Sequence, residues 1–207
     1  CHIVDSIMSE PGKYTLAAIG PLTNLATALC IEPRIANNVR EVVIMGGAVG
    51  VPGNASPVAE ANIYNDPEAA SLVYGAGWNL TAVGLDVTQQ ILMDEKYLDA
   101  LTESQTPVTS MISAIIPFYL DFHRNYRGQS VMPVHDSSAI AYLIDPDLFS
   151  TKSVCVHVVV SENRCSGQTV ADWNNRWCEG TKIKVCVNVD AERILRIYQE
   201  RVGGNNT

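Results

Sequence analysis

The sequence predicts an α/β protein built on a mostly parallel open sheet flanked by helices. Three observations carry that expectation. Short β-rich runs alternate with helical stretches along the 207 residues, the pattern of repeated strand–helix units. Two of the runs, Tyr14 to Ile19 and Glu41 to Met45, read as buried strands. Glycine and proline punctuate the strand ends: Gly20-Pro21 breaks the first and Gly46-Gly47 ends the second.

Taken in order, Leu22 to Leu29 follows the first break as the start of a helix, and the segment from Gly46 to Pro57, rich in glycine, proline and asparagine, is loop. Asp66-Pro67-Glu68 opens the next helix, with Asp as N-cap and Pro at the first helical position. Leu80 to Leu85 is a third strand, followed by a helix from about Asp94 to Leu101. Pro107 to His123 places Met111, Ile115, Tyr119 and Phe122 at helical spacing, with Pro117 expected to kink that helix or start a new one. Ser138 to Ile144 reads as helix, Val154 to Val160 and Lys182 to Val189 as strands, and Ala191 to Val202 as an amphipathic helix. Without internal repeat, low-complexity tract or linker, residues 1–207 form one domain or one contiguous piece of one.

Composition narrows the function. Fourteen Lys and Arg against 22 Asp and Glu give a net charge of −8, with no basic cluster to grip a phosphate backbone, so no nucleic-acid partner is expected. The longest apolar stretch, Ala114 to Leu120, is far short of the ~20 residues of a spanning helix, and no membrane association is expected either. No secretory signal stands near the start; Cys1 in place of Met suits a processed start or part of a longer protein. The six cysteines form no CxxC pair, which argues against a zinc module. With no signal peptide they read as mostly reduced thiols packed in or near the core of a cytoplasmic protein. Three sequons, at Asn54, Asn79 and Asn205, carry no meaning in that compartment.

In a parallel α/β sheet, ligands bind beyond the carboxyl ends of the strands. The segments at those positions are Ile19 to Asn24, Met45-Gly46-Gly47, Asn54 to Asp66, and Val134-His135-Asp136. Glycines 46, 47, 50 and 53 miss the dinucleotide spacing, and Gly12-Lys13-Tyr14 fails the phosphate-loop pattern. The loop from Gly53 to Pro67 gathers Asn54, Glu60 and Asn62. Amides beside a carboxylate suit the adjacent hydroxyls of a sugar, although Asn and Asp in a loop also serve its own backbone. His135-Asp136 reads either as chemistry or as a helix N-cap beside a histidine.

Taken together, Gly20-Pro21-Leu22-Thr23-Asn24-Leu25-Ala26, Val43 to Gly47, Gly53-Asn54 through Glu60-Ala61-Asn62, Asp66 to Ala70, Val134-His135-Asp136 and Gly167 to Trp173 resemble, in order and over nearly the whole chain, the inosine-uridine-preferring nucleoside hydrolase family. The resemblance implies cleavage of the N-glycosidic bond between ribose and a nucleobase with a Ca²⁺-activated water, through a ribosyl oxocarbenium-like transition state. It assigns the Ile19 main-chain carbonyl and the Asp136 carboxylate as calcium ligands. Asn54, Glu60 and Asn62 would hold ribose hydroxyls, Met45 would line the ribose pocket, and His135 would protonate the leaving base. His123 and Tyr126 are further candidates for base contacts, or else mark an exposed helix end. The implied partner is a ribonucleoside, and a homo-oligomer, dimer or tetramer, is expected of the full-length protein.

The chain departs from the family pattern at two places. Ala61 stands where many members carry an aromatic residue, so base stacking is not expected from that position. The aspartate-rich Asp-x-Asp-x-x-x-Asp-Asp motif, which supplies most calcium carboxylates and the water-activating base in the family, does not occur between Cys1 and Thr207. The expectation is therefore a partial nucleoside hydrolase domain, the C-terminal two-thirds, with the N-terminal strands missing. The alternative is a short non-catalytic member acting as a riboside-binding or assembly module.

Overall fold

A computed structural model describes residues 1–204 except 129, 162–163 and 179, with the side chains of 126 and 127 also outside the described set. The helices are α1 (His2–Ser9), α2 (Thr23–Ile31), α3 (Ile35–Asn38), α4 (Ala61–Asn65), α5 (Pro67–Gly75), α6 (Leu85–Thr88), α7 (Glu95–Thr102), α8 (Pro107–Arg127), α9 (Asp136–Ile144) and α10 (Ala191–Val202). The strands are β1 (Thr15–Ala18), β2 (Glu41–Met45), β3 (Leu80–Val83), β4 (Leu92–Met93), β5 (Met132–Pro133), β6 (Phe149–Val154), β7 (Val156–Val158), β8 (Thr169–Ala171) and β9 (Ile183–Val189).

The main sheet has the order β1-β2-β3-β9-β6. Its first four strands are parallel, and β6 closes it antiparallel to β9. Helices cover both faces, and the side-chain alternation of β2 shows the division. Val42 and Ile44 join the core layer with α2, α3 and α5, whereas Val43 and Met45 join the opposite layer with α6, α9 and α10. From Val42 to Met45 the strand is apolar and buried at every position, as two covered faces require. Helix starts follow local chemistry: Asp66 accepts from the Ala69 amide with Pro67 behind it, and Asp94, Thr106 and Asp190 cap α7, α8 and α10 in the same way. Among the described residues no helix is long and apolar enough to cross a membrane.

Three local expectations are corrected. Of the kink and the new helix start at Pro117, the second is overturned: a single helix runs from Pro107 to Arg127, Ile116 and Leu120 pack into the core beside Pro117, and that burial outweighs one lost backbone hydrogen bond. The run from Val154 to Val160 divides. Its first residue ends β6, the Cys155 carbonyl accepts the Asp172 amide, and Val156–Val158 pairs instead with β8 in a separate ribbon. The cysteines are not all reduced core thiols: Cys155 and Cys178 form a disulfide, while Cys1, Cys30 and Cys165 are exposed. Cys186 is buried, and burial pushes its pKa up to about 12.

Candidate active site

The parallel register aligns Ala18 with Ile44 and Met45 with Val83, so Ile19, Met45 and Gly84 leave the sheet at one edge. The turn after β2 is tightly held there. Gly47 has φ +91°, and a Cβ on it would lie 3.0 Å from the Tyr74 hydroxyl, so only glycine fits. Asp86 accepts from the Val49 and Gly50 amides at 3.0 and 2.7 Å. The Thr169 hydroxyl accepts from the Ala48 amide at 2.9 Å and donates to the Ala48 carbonyl at 3.0 Å. These clamps reach from α6 and β8, and they fix the backbone that presents Met45.

The loop from Gly53 to Glu60 folds around one carbonyl. The amides of Asn54, Ala55 and Ser56 all donate to the Ala59 oxygen at 3.1–3.3 Å. A Cβ on Gly53 would meet that oxygen at 2.2 Å, so the approach needs glycine. Asn54 Oδ1 accepts from the Ala61 amide at 2.8 Å. Glu60 is the N-cap of α4: Oε1 accepts from the Asn62 amide at 3.0 Å, and Oε2 accepts from Gly47 and Ile63 at 3.2 and 3.3 Å. Asn62 Nδ2 donates to the Met45 carbonyl at 3.0 Å. The loop chemistry and the site chemistry thus coincide, because the same polar groups that close the loop wall the cavity.

On the opposite side, Val134 enters α9 with its amide donating to the Ile91 carbonyl at 2.9 Å. The Ser138 hydroxyl donates to the Val134 carbonyl at 2.5 Å. His135 precedes the helix, and its Nδ1 lies 2.8 Å from the hydroxyl of fully buried Thr88. Asp136 is the first residue of α9. Burial raises the pKa of its carboxyl group. Burial also raises Glu60, against the pull of its three amide donors and with a smaller push from the Asp136 charge, so the two carboxylates sense each other across the site.

Met45, Asn54, Glu60, Asn62, His135 and Asp136 wall one cavity of about 480 Å³. Its other side is apolar, formed by Ile112, Ile115, Ile116 and Tyr119 of α8 with Met93, Met132 and Tyr198. Ile19 lies outside this wall and is 45% exposed at the end of β1. His123 is neither in the wall nor at an exposed helix end: it is buried, with its ring edge-on to Phe122 at 5.5 Å. The Tyr126 side chain lies outside the described residues. Sequence reasoning missed Thr88, Asp86 and the α8 wall. The regular apolar spacing of α8 was visible, but which helical face met the site was not.

Among the described residues, no three His, Cys, Asp or Glu side chains gather in a group able to hold a metal ion. Calcium takes about six to eight oxygen ligands, and the Glu60 oxygens already accept backbone amides. Asp136 and the Ile19 carbonyl do not make such a shell by themselves.

The chain is 40% identical over 205 residues to an inosine-uridine preferring nucleoside hydrolase of Crithidia fasciculata, covering 97% of this chain and 65% of that protein. It is 36% identical over 203 residues to a pyrimidine-specific ribonucleoside hydrolase of Shigella flexneri, covering 98% and 64%. It therefore spans just under two thirds of the length of these relatives. Among solved structures it superposes on a plant nucleoside hydrolase with TM-score 0.93 at 33% identity, covering 98% of this chain and 66% of that one. A purine-preferring ribonucleoside hydrolase from Gardnerella vaginalis gives TM-score 0.90 at 30% identity, with coverage of 98% and 64%. The sequence model of the inosine-uridine preferring nucleoside hydrolases matches residues 1–196, and the chain belongs to that family.

Proposed function

We propose that this chain carries the ribose-binding and leaving-group sides of a site that hydrolyses the N-glycosidic bond of ribonucleosides, and that residues 1–207 are part of a nucleoside hydrolase domain. The observation that supports this most directly is the single cavity in which Asn54, Glu60 and Asn62 face His135 and Asp136. Fixed amides and a carboxylate match vicinal hydroxyls, which donate and accept at once. Met45, 2% exposed, packs under the sugar. His135 supplies a proton to the departing base, where negative charge develops, and the apolar α8 side receives the base. His123, which is buried and does not line the cavity, and Tyr126 are the weaker base-side candidates.

The ion we assign to the family reaction is Ca²⁺, with Asp136 and the Ile19 carbonyl as two of its ligands. It would need at least about four further oxygen donors, and among the described residues no group of three His, Cys, Asp or Glu side chains supplies them. The second reading is a riboside-binding or assembly module without turnover. For the full-length protein a homo-oligomer, dimer or tetramer, is proposed.

We propose a cytoplasmic location, in which the reducing pool would hold Cys155 and Cys178 as thiols; the bridge the two form in this structure suits an oxidising compartment. Thiol counting on freshly lysed protein distinguishes them.

Calorimetry on the 207-residue chain and a free-ribose assay on the full-length protein, each with inosine and uridine, separate the functional readings. The 207-residue chain alone should bind without releasing ribose; release by the full-length protein supports hydrolysis, and binding without release there supports the module. No binding of either nucleoside contradicts both.

A further inference from the structure

Thr88 closes α6 without touching the cavity, and its side chain is 0% exposed. Its amide is spent on the Gly84 carbonyl at 3.1 Å. Among the described residues its hydroxyl bonds to one group, His135 Nδ1 at 2.8 Å. Two backbone bonds keep the pair in register: the Ile91 amide donates to the Thr88 carbonyl at 3.3 Å, and the Val134 amide donates to the Ile91 carbonyl at 2.9 Å. A hydroxyl has one proton to give and two lone pairs to offer. If this buried hydroxyl accepted from Nδ1–H, its own proton would face the interior without an acceptor, which is the costly arrangement; donating to Nδ1 leaves only lone pairs unused.

We propose that Thr88 is a positioning residue that donates its hydroxyl proton to Nδ1 of His135, so that the neutral ring carries its proton on Nε2 and the cavity side of the ring is a hydrogen-bond donor. The assignment rests on the reading of His135 as the leaving-group side of the site, and it deepens that reading. A nucleobase would then meet His135 through an accepting atom, a ring nitrogen lone pair or a carbonyl oxygen, and not through an exocyclic amine. The side chain of Thr88 reaches the substrate only through the imidazole, so its effect is on tautomer and ring orientation.

The test uses the 207-residue chain labelled with ¹⁵N-histidine, read by long-range ¹H–¹⁵N correlation at about pH 9, above the ordinary imidazole pKa of about 6.5. The chain has four histidines, and His135 is assigned by its loss in His135→Gln. In the wild type, Nδ1 should show the shift of an unprotonated ring nitrogen and Nε2 that of a protonated one. Thr88→Val removes the donor at nearly constant shape, and the two shifts should move toward each other as the tautomers mix. Thr88→Ser should restore the wild-type pair. A wild-type ring protonated at Nδ1 would overturn the proposal, as would a Thr88→Val spectrum identical to the wild type. The wild-type and Thr88→Ser spectra decide the matter even if Thr88→Val does not fold. Because the readout needs no ligand, a correct tautomer with no nucleoside binding would sink the functional reading and leave this one standing.

Discussion

The two sides of the cavity are built on opposite principles. The side we assign to ribose is polar and over-determined. Asn54, Glu60 and Asn62 each bond to backbone, and glycines at 47 and 53 occupy positions that admit no Cβ without a close contact. The facing side is one face of a long helix whose Ile115 and Tyr119 are 40% and 48% exposed, with no comparable lattice of hydrogen bonds. Groups locked by backbone amides are aimed before a ligand arrives, and that suits hydroxyls of fixed stereochemistry. An apolar helical face offers area without direction, which suits planar bases of varied outline. The relatives named as pyrimidine-specific and purine-preferring share this fold at comparable identity.

The contrast can be broken at four points. The largest effect belongs to His135, where the two sides meet. In a turnover assay on the full-length protein, His135→Ala should slow hydrolysis of inosine by about 10²–10⁴-fold, the usual worth of a positioned acid. It should change p-nitrophenyl riboside hydrolysis far less, because that leaving group departs without a proton. Equal losses on both substrates would make His135 a support for Asp136 and nothing more.

Next comes the polar side. Gly53→Ala places a methyl group against the Ala59 carbonyl and should cost about 1–3 kcal/mol of stability, as overpacking does. Nucleoside binding should fall with it, and denaturant melts with calorimetry check both. On the apolar side, Tyr119→Ala should weaken nucleoside binding by about 1 kcal/mol, the scale of one aromatic contact, while leaving the affinity for ribose itself unchanged. A loss of ribose affinity in that variant would mean the two sides are not separable.

The smallest effect is electrostatic. Burial raises the Glu60 pKa, so the folded chain holds that proton more tightly than the unfolded one. The associated stability is fully present below the unfolded value, near about 4.3, and is lost as pH rises through the raised folded value. Thermal melts of the wild type relative to Glu60→Gln should show the wild type gaining as pH falls from 7 toward 4. A flat difference would mean that the amide donors cancel burial, and a reversed one that they outweigh it.

What the sequence made legible follows the same division. The β2 strand and its Gly46-Gly47 end, the Asp66-Pro67 helix start and the gathering of Asn54, Glu60 and Asn62 are local patterns, and local chemistry fixed them. Thr88 and Asp86 were illegible because their partners lie 47 and 36–37 residues away. No periodicity reports such a pairing. The burial of His123 was illegible for a related reason, since helical spacing told that α8 is amphipathic but not which residues its neighbours would cover. The path of α8 through Pro117 depended on packing against the rest of that core layer, and the bridge between Cys155 and Cys178 on a ribbon whose β8 strand was not foreseen.

The most direct test of the account is a side-chain amide spectrum of the 207-residue chain titrated with inosine and with 2′,3′-dideoxyinosine. The account predicts that inosine shifts the Asn54 and Asn62 side-chain amides, and that the dideoxy compound, which lacks the hydroxyls they are assigned to hold, shifts them little or not at all. Equal shifts from both compounds, or shifts confined to residues outside the cavity, would contradict it.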